Sequence, residues 1–240
     1  MSVIHLISDL HLIDSKPHLV ALFEKYMDEY APKSDQLYVL GDLFDVWLGD
    51  DAQNELSMKI IDSFRRYSDN QKTLYFCHGN RDFLLGDKFA DMTGGQLIGE
   101  PHNIEFDGRK ICLLHGDSLC TDDIPYQQLR MMVRNPEWQN QFLSKSIPDR
   151  IQFAAEVKAK SHNDKEAKSA EIMDVNQQAV VDCIKENGCD ILIHGHTHRP
   201  DTHLITLDEG REASRIVLSD WDEKGHFLQL SKDGIQSNYF

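Results

Sequence analysis

Two pairs of residues, Asp9-x-His11 and His196-x-His198, place metal-type donors two positions apart. In an extended segment side chains alternate with period two, so both members of such a pair lie on one side of the chain. Asp9 and His11 can therefore grip the same ion. His196 and His198, in an extended or turning loop, can serve different ones. Between the two pairs stand Asp42 after Gly41, Asn80 after Gly79, and His115. Hard carboxylate and amide oxygens mixed with imidazoles suit divalent first-row metals. A carboxylate such as that of Asp42 has two oxygens and can bridge two cations. The donor set predicts a metalloenzyme with two metals.

Each donor follows a short apolar run: Val3–Ile7 before Asp9 and His11, Leu37–Leu40 before Asp42, Leu74–Phe76 before Asn80, Ile111–Leu114 before His115, and Ile191–Ile193 before His196 and His198. If the runs are strands, the donors gather beyond their carboxyl ends, where ligands collect in open α/β sheets. Helical patterns separate the first strands. One starts at Pro17 and runs to about Tyr30, one covers Glu55–Asp69, and one runs from about Leu84 to Thr93, stopped by Gly94-Gly95. Asp107-Gly108 reads as a hairpin turn before Ile111. A further helix is expected from about Ala170 to Glu186, closed by Gly188. After His198, turn signals at Asp208-Glu209-Gly210, Lys224-Gly225 and Asp233-Gly234 separate short strands. Parallel units followed by antiparallel hairpins predict a mixed-sheet α/β sandwich. Residues 122–168 break the rhythm, with three prolines and a run of apolar groups that includes Met131, Met132, Trp138, Phe142, Ile151 and Phe153. They read as a helical insertion within a single domain spanning residues 1–240.

Composition narrows the partners. A net charge of −15 argues against non-specific nucleic-acid binding, which needs a basic footprint. The insertion is the relatively basic stretch of an otherwise acidic chain. The five cysteines are an odd count without a C-x-x-C, as expected for reduced, mostly buried thiols in a cytoplasmic protein. No apolar run approaches the roughly 18 residues that a spanning helix needs. The start, Met1-Ser2-Val3-Ile4-His5, lacks a basic region, so no secretion signal is expected.

The blocks Asp9-Leu-His11, Gly41-Asp42-Leu-Phe-Asp45, Gly79-Asn80-Arg81-Asp82, His115 and Gly195-His196-Thr197-His198 resemble those of the calcineurin-like metallophosphoesterases. The resemblance implies an αββα sandwich of mixed sheets. It also implies one ion on Asp9, His11, Asp42 and His198, and a second on Asp42, Asn80, His115 and His196. One position departs from the broad pattern: Arg81 stands where a histidine is usual. Arginine is a poor general acid and a good fork for two phosphate oxygens, which shifts the expectation toward clamping a diphosphate.

A closer resemblance, to the UDP-2,3-diacylglucosamine diphosphatases of lipid A biosynthesis, rests on longer runs. These are Gly41–Trp47, Gly79–Leu85, His115–Asp123, Ile172-Met-Asp-Val-Asn176 and His194–Pro200. It implies two Mn2+ ions, with catalysis by Asp42, Asn80, Arg81, His115 and His196. It implies substrate contacts at Asn80, Arg81, Asp123, Ser161, Lys165, Lys168 and His196. Asp123 also fits the cap of a helix starting at Ile124. The implied reaction is attack by activated water on the uridine-side phosphorus, giving UMP and 2,3-diacylglucosamine 1-phosphate. The apolar insertion would shelter the acyl chains. The implied setting is peripheral, on the cytoplasmic side of a Gram-negative inner membrane, with no obligate protein partner. A two-metal phosphodiesterase or nucleotide diphosphatase acting on a soluble substrate is the main alternative, and the apolar insertion and Arg81 argue against it. A non-catalytic scaffold would be expected to have lost ligands, and all seven are present.

Overall fold

Apolar runs this short and this poor in charge are stable as strands only where both faces are covered. The computed structural model, which describes residues 2–167 and 174–240, with side chains for all of these but 160–167 and 209, places them so. In chain order the elements are β1 (Ile4–Ile7), α1 (Pro17–Lys25), β2 (Gln36–Leu40), α2 (Glu55–Asp69), β3 (Thr73–Cys77), α3 (Asp87–Thr93), β4 (Gln96–Leu97), β5 (His102–Phe106) and β6 (Arg109–Leu113). Then follow α4 (Ile124–Val133), α5 (Pro136–Leu143), α6 (Ile147–Ala167), α7 (Gln177–Asn187), β7 (Ile191–His194), β8 (Asp201–Thr206), β9 (Glu212–Val217), β10 (His226–Ser231) and β11 (Gly234–Tyr239). One sheet has the order β11-β10-β1-β2-β3-β4 and the other β5-β6-β7-β9-β8.

The strands that lead to the candidate donors lie side by side. β1, β2 and β3 run parallel in the first sheet, and β6 and β7 run parallel in the second. Period-two alternation then builds three cores. Leu6, Tyr38, Leu40, Ile111, Leu113 and Ile193 pack between the sheets. Ile7, Leu37 and Val39 face outward onto Leu19, Phe23, Ile60 and Phe64 of α1 and α2. Cys112 and Leu192 face outward onto Val180 and Ile184 of α7. The layers are helix, sheet, sheet, helix, as the αββα expectation requires. Both strand sets therefore deliver their carboxyl ends to one rim of the sandwich.

Local chemistry sets several boundaries. Asn54 and Ser57 close a reciprocal capping box at the start of α2. Helix α3 starts at Asp87 and not near Leu84, because the Asp50 carboxylate accepts from the N–H groups of Gly86 (3.1 Å) and Phe89 (2.9 Å). Leu84 and Leu85 are instead buried in the preceding turn. Helix α1 gives way to a π-helical turn over Tyr26–Tyr30. Helix α7 starts at Gln177, later than expected, because the Asn176 side chain caps Ala179 N. Residues 168–173, which hold the earlier part of that expected helix, lie outside the described residues.

The segment from residue 122 forms three helices, α4 to α6. Trp138, Phe142, Leu143 and Phe153 pack onto the helix-side core of the first sheet. Trp138 and Phe142 stack with centroids 5.0 Å apart. Ile124 (58% exposed), Met131 (67%), Met132, Ile147 and Ile151 remain open to solvent. Arg150 is buried; it donates to Leu48 O at 2.6 Å and pairs with Asp51, while Lys158 pairs with Asp45 at 2.6 Å.

Candidate metal centre

All seven donors read from the sequence meet beyond the strand ends. The backbone is bent to bring them there. Among the described residues seven non-glycine positions have positive φ, and five of them are Asp9 (57°), His11 (47°), Asp42 (53°), His196 (67°) and His198 (54°). Each such conformation costs about 1–3 kcal/mol and persists only where the surroundings over-determine it. Here the loops after β1 and β2 continue to pair beyond the strands: Asp9 N donates to Gly41 O (3.1 Å) and His11 N to Asp42 O (3.0 Å). Gly79 and Gly195 let the loops close up. A Cβ at Gly79 would strike Asp42, and one at Gly195 would strike Ser8 and Asp9.

Donor atoms of Asp9, His11 and His198 lie within 4.8 Å of one another, and so do those of Asp9, Asp42 and His115. His198 Nε2 is 3.4 Å from Asp9 Oδ1, and His11 Nε2 is 3.9 Å from Asp42 Oδ2. His115 Nε2 is 3.0 Å from Asn80 Oδ1 and 3.7 Å from Asp42 Oδ1. The His196 ring stands edge-on to that of His115, centroids 5.0 Å apart, and its backbone N–H donates to Asp9 Oδ2 at 2.8 Å.

The tautomers decide whether a cation fits. His115 Nδ1 faces the Leu40 carbonyl at 2.8 Å, a pure acceptor, so Nδ1 carries the proton. Its Nε2 lone pair then points at the Asn80 and Asp42 oxygens. His198 Nδ1 faces Asp220 Oδ2 at 3.2 Å, which leaves its Nε2 lone pair toward Asp9 Oδ1 and toward His11 Nε2, 3.3 Å away. Acceptors facing acceptors need a positive charge between them. Asp9 Oδ1 and His11 Nδ1 are moreover buried without a hydrogen-bond partner. The residues fit divalent cations.

Protonation tells the same story for the metal-free chain. Burial lowers the His115 pKa, but Asp42, Asp9, Asp117 and Glu100 outweigh it and raise the group to about 9. Burial likewise opposes protonation of His198, and Asp220 and Asp9 overcome it, to about 10. Burial raises Asp42 to about 7, with Asp82 and Asp9 adding to the shift and His115 opposing it. For Asp9 burial is outweighed by His198, His115 and His11, which hold it below the usual carboxylate range. Burial takes His11 down to about 4 and His196 to about 3. Protons thus stand in where cations would discharge the cluster.

Several supports had no role in the sequence reading. Asp82, fully buried, accepts from Leu43 N (2.7 Å), Gly79 N (2.8 Å) and Asp42 N (3.2 Å), tying the β2 and β3 loops together. Ser8 Oγ donates to Asp9 Oδ2 at 2.7 Å, and Glu100 accepts from His115 N. Asp220, which orients His198, ends the run Ile216-Val217-Leu218-Ser219. That is the signature of Ile7-Ser8-Asp9 over again, and it was there to be found.

Arg81 donates its backbone N–H to Asp42 Oδ1 at 2.8 Å, which fixes that carboxylate, and its cation helps to lower the His11 pKa. Asp123 caps α4, accepting from Tyr126 N at 3.2 Å, so the capping expectation holds. His194 is buried with Nδ1 on Gly195 O, apart from the ligand set. The five cysteines are free thiols, four of them buried. Lys168 and the side chains of Ser161 and Lys165 lie outside the described residues.

The family model of the calcineurin-like phosphoesterases matches residues 2–200. The chain is 42% identical over 230 residues to a UDP-2,3-diacylglucosamine hydrolase of Hahella chejuensis, covering 96% of this chain and 94% of the relative. It is 45% identical over 231 residues to the protein of that name from Haemophilus influenzae, covering 96% and 95%. Among solved structures, it is similar to Vacuolar Protein Sorting 29 of Cryptosporidium parvum, with a TM-score of 0.48 and 12% identity over 100% of this chain and 96% of that one.

Proposed function

This chain belongs to the calcineurin-like phosphoesterase family, and we propose that it hydrolyses the diphosphate of UDP-2,3-diacylglucosamine, releasing UMP and 2,3-diacylglucosamine 1-phosphate. The observation that carries the proposal is the cluster of seven donors, in which His115 Nε2 faces the Asn80 and Asp42 oxygens and His198 Nε2 faces Asp9, next to an arginine and beneath a partly apolar helical insertion. The near full-length likeness to hydrolases of that substrate supports the choice of lipid over a soluble diester.

Asp9, His11, Asp42 and His198 would hold one divalent cation, and Asp42, Asn80, His115 and His196 the other; Mn2+ is the ion we assign. Bound there, the cations supply Lewis acidity toward phosphoryl oxygens and lower the pKa of water to near ~7. The chain's own groups do the rest. Ser8 and Asp82 hold the Asp9 and Asp42 loops, so the donors need no reorganisation on binding substrate. Leu40 and Asp220 fix the tautomers of His115 and His198. The Arg81 guanidinium clamps two phosphoryl oxygens as charge grows on them. Asn80, Asp123, Ser161, Lys165, Lys168 and His196 complete the substrate contacts in this reading.

Acyl chains need a dry wall. A cavity of about 300 Å³ opens beside the Asn80 turn, with Phe83, Leu84, Leu85 and Leu143 as its apolar lining and His78, Arg134 and Gln139 as its polar lining. Each methylene sheltered there contributes about 0.8 kcal/mol. Ile124, Met131 and Met132 of α4 and Ile147 and Ile151 of α6 leave apolar side chains exposed on the insertion. They suit peripheral contact with the cytoplasmic side of the inner membrane. No helix among the described residues is long and apolar enough to cross one.

The test is UMP release from UDP-2,3-diacylglucosamine by chelator-treated protein, with and without restored Mn2+, beside a soluble diester. Mn2+-dependent UMP release is the expected result. Cleavage of the diester alone would reject the lipid substrate.

A further inference from the structure

Helix α4 opens the insertion, yet one of its faces is turned inward onto the loops that carry Asn80, His115 and His196. Tyr126, Arg130 and Arg134 recur every fourth residue and so share that face. Tyr126 Oη and Arg130 Nε both donate to Asp117 Oδ2, at 2.6 and 2.8 Å. Asp117 is fully buried and lies two residues after His115. Gln127 Nε2 donates to the carbonyls of Asp117 (2.9 Å) and Cys120 (3.0 Å). The Tyr126 ring lies against that of His196, centroids 6.0 Å apart and 29° between planes.

Arg134 ends the row. Its Nη2 donates to the carbonyls of Gly79 (3.1 Å) and His78 (3.3 Å), the two residues before Asn80. The same turn is held from within by Asp82 on Gly79 N and by Asp42 on Arg81 N, both at 2.8 Å. Among the described residues the Asn80 side chain has one hydrogen-bond contact, Oδ1 to His115 Nε2, so its aim follows the turn. A short amide ligand has little slack, because a small rotation of the turn carries Oδ1 out of reach.

We propose that Arg134 is a positioning residue of the metal centre. By gripping the His78 and Gly79 carbonyls it sets the turn that aims Asn80, and it thereby makes α4 part of the frame of the Asn80–His115–His196 half-site. The insertion is on this view a component of the centre as well as a shelter for substrate. The proposal rests on the metal-binding reading above.

The test reads metal uptake without substrate. Chelator-treated protein is titrated with Mn2+ in a calorimeter for the parent, Arg134→Met, Asn80→Ala and the double variant. The expected parent isotherm has two steps. Arg134→Met should weaken one step about 10–100-fold, the usual range for a residue that orients a ligand, and leave the other unchanged. In the Asn80→Ala background, Arg134→Met should add less than about threefold, because both changes remove the same ligand. Parent-like affinities in folded Arg134→Met, or an undiminished effect in the Asn80→Ala background, would overturn the proposal; the second result would mark Arg134 as general support for the fold. If Arg134→Met does not fold by circular dichroism, Arg134→Gln goes through the same cycle under the same criteria. A parent protein that takes up no Mn2+ would overturn the metal-binding reading and this proposal with it.

Discussion

Asp82→Asn isolates what holds the centre together before any metal binds. The aspartate carboxylate accepts three backbone N–H groups, Asp42 and Gly79 on Oδ1 and Leu43 on Oδ2. An asparagine of equal size keeps Oδ1 but turns an NH2 group toward Leu43 N, so one charge-assisted bond is lost and two donors face each other. Losing a hydrogen bond to a charged acceptor costs about 1.5–3 kcal/mol, and a buried unsatisfied donor about 1–3 more. The two bonds that remain become neutral and weaker. Removing the Asp82 charge relieves its repulsion of Asp42, which offsets part of the loss. The balance is about 3 kcal/mol, or about 6–12 °C in melting temperature for a chain of this size. Calorimetric melting in chelator measures it without the stabilisation that bound ions add. Because Asp42 is itself a proposed ligand and Gly79 precedes Asn80, Mn2+ affinity should also fall about tenfold or more. An Asp82→Asn protein that melts within about 2 °C of the parent and binds Mn2+ equally well would refute the role given to this carboxylate.

Other perturbations separate the parts. Arg81→Ala should lower turnover about 100-fold, the effect of losing one donor to developing charge, with metal content unchanged by elemental analysis. Asp42→Ala should lose metal and activity together; a fully metallated, inactive protein would contradict the bridging role. Phe142→Ala removes a buried ring stacked on Trp138 and should cost about 3 kcal/mol in urea melts while leaving metal content intact. In the metal-free protein His115 and His198 are raised to about 9 and 10, so their contribution is complete below pH ~6.5 and is lost as pH rises through the raised values. Asp42, raised to about 7, acts in the same direction. Thermal stability in chelator should therefore fall between about pH 6.5 and 10, and Mn2+ should reverse the fall, since deprotonated ligands bind metal better.

The clustering of the seven candidate donors was legible because its code is local. Each donor lies within four residues of a strand's carboxyl end, and burial on both faces forces such strands to be apolar runs. Asp9 and His196, distant in sequence, meet because parallel strands deliver their carboxyl ends to the same rim. The supports were harder to read. Asp82 looks like one more polar loop residue until Leu43 N and Gly79 N are seen to converge on it. Glu100 reaches His115 from a loop between β4 and β5 that carries no pattern of its own. Helix boundaries shifted for a similar reason: Asp50 caps α3 from a distant loop, and no local signal near Leu84 reports that partner. The insertion divided as its composition allowed. Phe142 and Val133 are buried, while Met131 and Ile124 stay exposed, and only tertiary packing decides between them.

Phosphorus NMR of the reaction in oxygen-18 water tests the proposed function most directly. Chelator-treated protein with Mn2+ restored is given UDP-2,3-diacylglucosamine, and the isotope shift shows which phosphorus received the solvent oxygen. The expected result is UMP carrying the heavy oxygen and an unlabelled 2,3-diacylglucosamine 1-phosphate, with neither product formed without metal. Label in the lipid phosphate would contradict attack at the uridine side, and an intact lipid beside a cleaved soluble diester would contradict the substrate.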